Sequence, residues 1–215
     1  MKASDFAELM AQRRQALAKA KWGDEIQNPD MAHYYQNLNY RDAAVLIPII
    51  DRPGGAAVLF TYRAAHLKAH AGQISFPGGK IDADDESATS AALREFHEEV
   101  GISSEHVRVI GQGPDYRTGS GYRIHPIIGI VPPDLSMVLD PGEVDRTFEV
   151  PLAHLLDPAA SELTTKENLV RGHTVNIYRV AWGEHMIWGI TAGIVASLQK
   201  TLLGAELRES AAHNG

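Results

Sequence analysis

Three glutamates near the end of a predicted helix are the side chains whose type and spacing could do chemistry. Glu95, Glu98 and Glu99 fall within an arc of about 100°, because each helical residue turns by about 100°. Carboxylates at these spacings repel each other, and their place just before the helix stop predicted at Gly101 opposes the helix macrodipole. Two unfavourable effects in one place indicate a bound cation, and oxygen ligands without sulfur favour Mg²⁺ or Mn²⁺.

The same residues also fit a solvated acidic face. Arg94 precedes Glu98 by four residues, a spacing that favours an ion pair on the helix surface, and charge runs are usually solvated. Spacing alone weighs the two interpretations evenly. Gly78 and Gly79 favour the metal site, because paired glycines let the backbone approach a phosphate or offer a carbonyl to a metal. A plain tight turn is the alternative for these glycines.

The composition is that of an ordinary soluble domain. The chain has 215 residues, enough for one domain with a sizeable core, and 44% of them are hydrophobic and 22% charged. A net charge of −7 and a pI near 5.8 argue against a dedicated nucleic-acid-binding surface. The absence of cysteine excludes disulfides, thiolate metal sites and cysteine nucleophiles.

The elements that must position the glutamates follow from periodicity and turn residues. Leu93, Phe96 and Val100 gather on a separate face of the helix and predict its core side. Alternating strands and helices without internal repeats predict an α/β fold with helices packed on a mixed sheet. The predicted helices are Ser4–Lys21 (with Ser4 or Asp5 as N-cap), Ser87–Val100, Pro151–Leu156 and Ile190–Leu207. The predicted strands are Ala43–Ile50, Ala56–Thr61, one ending at Ser75–Pro77, His106–Gly111, Ile124–Val131, Thr147–Val150 and Leu169–Ala181.

Neither end of the sequence carries a recognisable targeting segment. The first 25 residues lack the apolar core of a signal peptide, and the apolar run 188–204 is interrupted and too short for a bilayer. We therefore expect a cytoplasmic protein without membrane or nucleic-acid partners. We divide it into an N-terminal helical extension (1–30), one domain (31–207), an irregular connection within 24–40, and a disordered tail (208–215). The extension either packs on the domain or forms a homodimer contact.

The stretch from Gly79 to Ile102 resembles the Nudix box, in which an acidic residue lies between a glycine and the pattern Arg-Glu-hydrophobic-x-Glu-Glu-x-Gly-hydrophobic. The second half of the box is complete: Arg94, Glu95, Phe96, Glu98, Glu99, Gly101 and Ile102. The first half is one residue longer than the general motif. Asp85 has the expected spacing from Gly79, whereas Glu86 has the expected spacing to Arg94.

The segment just upstream resembles the signature of the coenzyme A diphosphatase branch of the Nudix hydrolases. The matching positions are Leu59, Thr61, Arg63, Ala64, Gly72, Phe76, Pro77, Gly78 and Gly79. Phe60 and Lys68 stand where the signature has leucine and arginine, and lysine lacks the bidentate fork toward phosphate. The resemblance covers most of Ala43 to Leu198 and leaves the N-terminal helix outside.

The resemblance implies an α/β/α sandwich with a mixed sheet and the acidic motif on a loop–helix–loop. It implies cleavage of the diphosphate of coenzyme A or acyl-CoA to 4′-phosphopantetheine, or its acyl form, and adenosine 3′,5′-bisphosphate. A diphosphatase for NADH or ADP-ribose and a non-catalytic ligand sensor of the same fold are the alternatives. The implied substrate is a small nucleotide, and the implied cofactor is Mg²⁺ or Mn²⁺.

The resemblance also implies roles for single residues. Glu95 and Glu99 are the expected metal ligands, Glu98 is a third ligand or the general base, and Arg94 orients a glutamate. The Gly79 carbonyl completes the metal shell. The residues expected to contact substrate are Arg63, Lys68, Phe76 and Gly78.

Other polar residues receive plainer interpretations. Glu143, after a predicted turn, is interpreted as an exposed loop acid, the alternative being a distal acid that reaches the site. The Arg13-Arg14 pair is interpreted as a solvated face. Four histidines lack a metal-ligand spacing and are interpreted as ordinary surface or hydrogen-bonded residues: His66, His70, His97 and His125.

Overall fold

A computed structural model describes residues 1–67, 70–168, 173–204 and 208–209 of the chain. The α-helices are α1 (Ala3–Gln12), α2 (Arg14–Lys19), α3 (Asp24–Gln27), α4 (Ala32–Gln36), α5 (Ala88–Val100), α6 (Leu152–Leu155) and α7 (Ile190–Leu203). The strands are β1 (Trp22–Gly23), β2 (Arg41–Arg52), β3 (Gly55–Arg63), β4 (Ile74–Ser75), β5 (Gly78–Lys80), β6 (Arg108–Gln112), β7 (Tyr116–Arg117), β8 (Tyr122–Val131), β9 (Val144–Pro151), β10 (Ser161–Asn168), β11 (His173–Trp182), β12 (His185–Trp188) and β13 (Arg208–Glu209).

A mixed sheet forms the centre of the molecule. Strand β2 pairs in parallel with β8 and antiparallel with β3, and β3 pairs antiparallel with β9. The short strand β5 pairs antiparallel with the start of β2, where Ala44 lies opposite Gly79. A smaller sheet has the order β12-β11-β10-β13. This arrangement brings the end of β3, the start of β9 and the β5 glycines to the same end of the central sheet.

Helices cover both faces of the central sheet. Helix α5 packs on one face against a cluster that includes Ala44, Leu46 and Leu59. Helices α1 and α7 belong to the cluster on the other face, which includes Ile47 and Phe60. Because successive strand residues point to opposite faces, an apolar strand such as β2 supplies both layers. The predicted α/β class, with helices on both faces of a mixed sheet, is confirmed.

The predicted N-terminal helix Ser4–Lys21 is wrong in its start and its continuity. It begins at Ala3 with Lys2 as N-cap, and the Asp5 carboxylate accepts a hydrogen bond from the Lys2 backbone N–H at 3.0 Å. The helix is interrupted at Arg13, whose φ of −97° and ψ of 5° lie outside the helical region. Ala3, Phe6 and Met10 are buried in the same core cluster as the sheet, so α1 packs on the domain. A homodimer contact through this helix stays a prediction.

Other boundaries also differ from the sequence prediction. The expected irregular connection contains the short helices α3 and α4, and β10 and β12 were not predicted. Helix α7 ends before Gly204, which adopts a left-handed conformation with φ of 65°. The predicted helix end at 205–207, the start of the predicted strand at 169–172 and most of the predicted tail, 210–215, lie outside the described residues. Arg208 and Glu209 pair with β10. No helix in the described ranges is long and apolar enough to cross a bilayer.

Candidate active site

Helix α5 is held in place by defined caps at both ends. The Ser87 hydroxyl accepts a hydrogen bond from the Ser90 backbone N–H at 3.1 Å, which fixes the N-terminal turn. At the other end Gly101 adopts φ of 78° and donates its N–H to the His97 carbonyl at 2.8 Å. Phe96 and Val100 are fully buried against the sheet, as predicted. The glutamates of the last two turns are thereby held at a fixed height above the β5 glycines.

The two glycines of β5 let the helix lie close to the sheet edge. A side chain at Gly78 would collide with the Ala44 carbonyl, and one at Gly79 would collide with the Glu95 carboxylate. The Gly78 backbone N–H instead donates a long hydrogen bond to Glu99 at 3.5 Å. The absence of side chains here therefore leaves room for two carboxylates against the strand.

A third carboxylate comes from a different part of the chain. Oxygens of Glu95, Glu99 and Glu143 all lie within 4.8 Å of one another, and we call this group the three-carboxylate cluster. Glu143 reaches it because its carbonyl accepts a hydrogen bond from the Ala64 N–H at 2.8 Å, which joins its loop to the end of β3. Its side chain is exposed, as predicted, and it also reaches the site, which was the alternative interpretation.

Burial disfavours the charged forms of two acids in this cluster. Glu99 is only 2% exposed, and burial raises its pKa to about 8, against the lowering effect of the Gly78 N–H and of Arg63. Burial also raises the pKa of Glu95, although its ion pair with Arg94 acts in the opposite direction. Glu143 contributes to the upward shift of both groups. A divalent cation between these oxygens would relieve their repulsion, and an all-carboxylate set suits a hard cation.

Arg94 connects the helix to the loop before it. Its guanidinium donates two hydrogen bonds to Asp85, at 3.1 and 2.8 Å, and one to Glu95 at 2.9 Å. It also donates to Glu98 at 3.0 Å and to the Lys80 carbonyl at 3.2 Å. Asp85, and not Glu86, is therefore the acid that pairs with the arginine. The additional residue of the longer loop accordingly lies between Asp85 and Arg94.

Glu98 occupies a different environment from its two neighbours. Its side chain is 54% exposed, and it forms the surface ion pair with Arg94 that the solvated-face interpretation expected. It lies outside the three-carboxylate cluster. The ion-pair interpretation therefore holds for Glu98, and the metal site at Glu95 and Glu99 stays a prediction. The role of Glu98 as a ligand or a base stays a prediction.

The residues expected to contact substrate are in contrasting positions. Arg63 ends β3 half-buried, and its Nε has no hydrogen-bond partner among the described residues. Gly78 offers its backbone to the cluster. Phe76 is 4% exposed and stacks on Phe60 at 4.8 Å between ring centroids, so its ring packs in the core. Lys68 lies outside the described residues.

The histidines stay outside the three-carboxylate cluster, and one of them forms a network that the sequence did not reveal. His125 lies between two carboxylates, 2.9 Å from Asp42 through Nε2 and 2.9 Å from Asp115 through Nδ1. These hydrogen bonds raise the pKa of His125 despite its partial burial. Asp42 is 83 residues from His125 in sequence, and the pairing of β7, β8 and β2 brings it to the other two residues.

Comparison with known proteins gives consistent matches. The family model for the NUDIX domain matches residues 40–168. The protein described as "Uncharacterized Nudix hydrolase NudL" from Escherichia fergusonii is 44% identical over 172 residues, covering 76% of this chain and 83% of that protein. The protein of the same description from Escherichia coli K12 has the same identity and coverage. The crystal structure of the Nudix hydrolase RenU from M. smegmatis matches at 25% identity with a TM-score of 0.44, covering 55% of this chain and 75% of that one.

Proposed function

Because this chain belongs to the Nudix hydrolase family, we propose that it is a metal-dependent hydrolase that cleaves the diphosphate of coenzyme A or acyl-CoA. One observation carries the choice of substrate. Two parts of the upstream signature, Leu59 to Gly79, adjoin the three-carboxylate cluster: the end of β3 at Arg63 and the glycines of β5. Arg63 is joined to the Glu143 loop through the Ala64 N–H, and Gly78 donates to Glu99. The residues that distinguish the coenzyme A branch thus adjoin the acids common to the family.

The cluster fits the divalent cation that the family uses. Glu95, Glu99 and Glu143 would hold Mg²⁺ or Mn²⁺, with the Gly79 carbonyl as a further predicted ligand. When bound, the ion would neutralise charge on phosphoryl oxygens and lower the pKa of a bound water. Before a metal binds, the high pKa of Glu99 keeps one proton in the cluster near neutral pH, so metal binding is expected to release it.

The chain's own residues then position the reacting groups. Arg94 fixes Glu95 relative to the loop through its paired hydrogen bonds to Asp85. The buried Nε of Arg63 has no hydrogen-bond partner among the described residues, and we assign to this guanidinium the stabilisation of the negative charge that develops on a phosphate oxygen. The oxygen of water attacks one phosphorus of the diphosphate, the bond from that phosphorus to the bridging oxygen breaks, and a carboxylate, which we assign to Glu98, accepts the water proton. The products are 4′-phosphopantetheine and adenosine 3′,5′-bisphosphate.

A substrate panel tests this proposal. The purified full-length chain is incubated with Mg²⁺ or Mn²⁺ and, separately, with coenzyme A, acetyl-CoA, NADH and ADP-ribose, and the products are resolved by ion-pair chromatography. We expect turnover of coenzyme A or acetyl-CoA, abolished by EDTA. Turnover of NADH or ADP-ribose with coenzyme A untouched would overturn the substrate, and Lys68 in place of the signature arginine makes this the second candidate. Binding without turnover of any compound would favour a ligand sensor.

A further inference from the structure

A cavity of about 800 Å³ lies between the N-terminal extension and the edge of the central sheet. Its walls come from α1, α2 and the segment leading to β1 on one side, and from β6 and the residues up to β7 on the other. Its lining includes no residue of the three-carboxylate cluster, of helix α5 or of the Leu59 to Gly79 segment. A volume of this size lies in the range of about 300–1,000 Å³ that small-molecule sites occupy.

The extension that forms one wall is fastened to the domain by buried polar contacts. Asp24 accepts hydrogen bonds from the Tyr116 hydroxyl at 2.9 Å and from the Gly119 N–H at 2.6 Å. Gln27 donates to the same hydroxyl, and Tyr116 is fully buried. The backbones of β1 and β7 also pair in parallel, with Trp22 opposite Tyr116. The two walls are therefore joined by a connected network, and the cavity exists before any ligand arrives.

Apolar side chains form part of the cavity lining. Met10 and Leu17 are buried side chains of α1 and α2 that also line it, and Trp22 is 8% exposed at its edge. On the strand side, Gly111 lines the cavity opposite Met10, and a Cβ at this position would lie 3.3 Å from the Met10 side chain. This surface offers contact to an apolar or aromatic part of a ligand.

The rim of the cavity is positively charged. Five cationic side chains and only two acidic ones line it: Arg14, Lys19, Lys21, Arg117 and Arg123 against Glu25 and Asp115. Both acids already have partners, since Glu25 lies 3.5 Å from Arg117 and Asp115 lies 2.9 Å from His125.

Three of these cations have no such compensation. No ion pair joins Arg14, Lys19 or Lys21 to a carboxylate within the described ranges. In a chain with a net charge of −7, this is a local excess of positive charge next to a cavity. Such a field concentrates small anions.

We propose that this cavity binds a small organic phosphate. Its phosphate groups contact Arg14, Lys19 and Lys21, and its apolar part rests on Leu17 and Trp22. Binding there needs no metal at the three-carboxylate cluster, so this site acts separately from turnover. Arg14, which the sequence alone assigns to a solvated face, is then a ligand-binding residue.

Calorimetric titration of the full-length protein with ADP in the presence of EDTA tests the site, because chelation removes metal-dependent phosphate binding at the carboxylates. We expect binding of ADP, and weaker binding of inorganic pyrophosphate, which lacks an apolar part. Arg14→Gln with Lys21→Gln should weaken ADP binding by about tenfold for each cation, as loss of a charge-assisted hydrogen bond predicts. The matched control is Arg13→Gln with Arg108→Gln, which removes two exposed cations that do not line the cavity and should leave affinity unchanged.

Two variants at the proposed catalytic site distinguish ADP binding in the cavity from ADP binding at the three-carboxylate cluster. Arg63→Gln and Glu99→Gln should bind ADP in EDTA like the unmodified protein. No ADP binding at millimolar concentration would overturn the proposal, as would equal loss in the test and control pairs. Loss of binding in Arg63→Gln with none in the Arg14 and Lys21 variant would assign the nucleotide to the catalytic cleft and would also reject it. Pyrophosphate binding as tight as that of ADP would refute the role of the apolar surface.

Discussion

The three-carboxylate cluster and the N-terminal cavity carry opposite charges and are built in opposite ways. The cluster places three carboxylates together, and the burial of one of them raises the pKa of Glu99 to about 8. The cavity keeps its cations exposed on a rim above apolar side chains, where solvent screens them. Charge that is buried without compensation destabilises the empty protein, whereas charge on an exposed rim does so very little.

This difference indicates what each region is suited for. A cluster of carboxylates whose repulsion a divalent cation would relieve is suited to holding that cation through a reaction. A screened rim over a preformed cavity binds and releases an anion without rearrangement of the buried network at Tyr116. Variants that remove charge from one region should therefore leave the other unaffected.

The largest effect is expected for turnover when the buried acid of the cluster is neutralised. Glu99→Gln keeps the shape of the side chain and removes one ligand charge, so kcat should fall by about a thousandfold or more. Initial rates with coenzyme A at saturating Mg²⁺ measure this, and Glu86→Gln, on the exposed preceding loop, is the control with full activity. Unchanged turnover in Glu99→Gln would remove Glu99 from the site.

The same substitution should stabilise the protein when no metal is present. The pKa of Glu99 is raised from 4.5 to about 8, so the unfolded chain loses this proton at lower pH than the folded one. The stability of the unmodified protein therefore falls as pH rises through this window, by up to a few kcal/mol for this group, on the order of 1.4 kcal/mol per pKa unit. Glu99→Gln removes that loss.

Thermal unfolding in EDTA at pH 5, 7 and 9 measures this second effect. The melting temperature of Glu99→Gln should exceed that of the unmodified protein by an amount that grows with pH. Addition of Mg²⁺ should reverse the order, because the metal stabilises only the form that binds it tightly. A difference that is constant across pH would contradict the buried, protonated state of Glu99.

A smaller loss of turnover is expected when the contact that orients the helix is weakened. Asp85→Asn keeps the size of the side chain but weakens both hydrogen bonds from Arg94. Partners of metal-binding residues typically change activity by about 10–100-fold, so kcat/KM should fall in that range while the fold is kept. Glu86→Gln is again the matched control, since Glu86 is the other residue that the box spacing allows. Equal loss in both variants would contradict the assignment of Asp85.

Local spacing could predict the helix and most of the cluster because these features lie within a single segment. The residues of one helix are enough to predict its start near Ser87, its end at Gly101 and its buried face with Phe96 and Val100. The prediction that Glu95 and Glu99 lie on the same side of the helix required only the helical period. By contrast, the choice between Asp85 and Glu86 required the position of the Arg94 side chain, which spacing leaves open.

Features that depend on strand pairing could not be predicted in the same way. Glu143 joins the cluster because β3 and β9 pair with a register shift near Arg63, and nothing in the local sequence encodes that pairing. The upstream signature predicts that Phe76 contacts substrate, but its ring packs in the core, where it stacks on Phe60. The rim cations come from the extension and from two strands, so no sequence window contains them together.

The smallest effect on turnover, and the sharpest separation of the two regions, is expected at the buried network that holds the extension. Tyr116→Phe removes the hydroxyl that joins Asp24 to Gln27 and leaves both without this partner, which should lower the free energy of unfolding by about 1–3 kcal/mol. The cavity wall loosens as a result, so ADP binding in EDTA should weaken, whereas turnover of coenzyme A at 25 °C should stay within about twofold because no cluster residue contacts this network. Tyr34→Phe, which removes the hydroxyl that donates to the Gly119 carbonyl of the same loop, is the comparison. Parallel loss of turnover and ADP binding in Tyr116→Phe, with the fold kept, would mean that the two regions are coupled through the sheet and would contradict their independence.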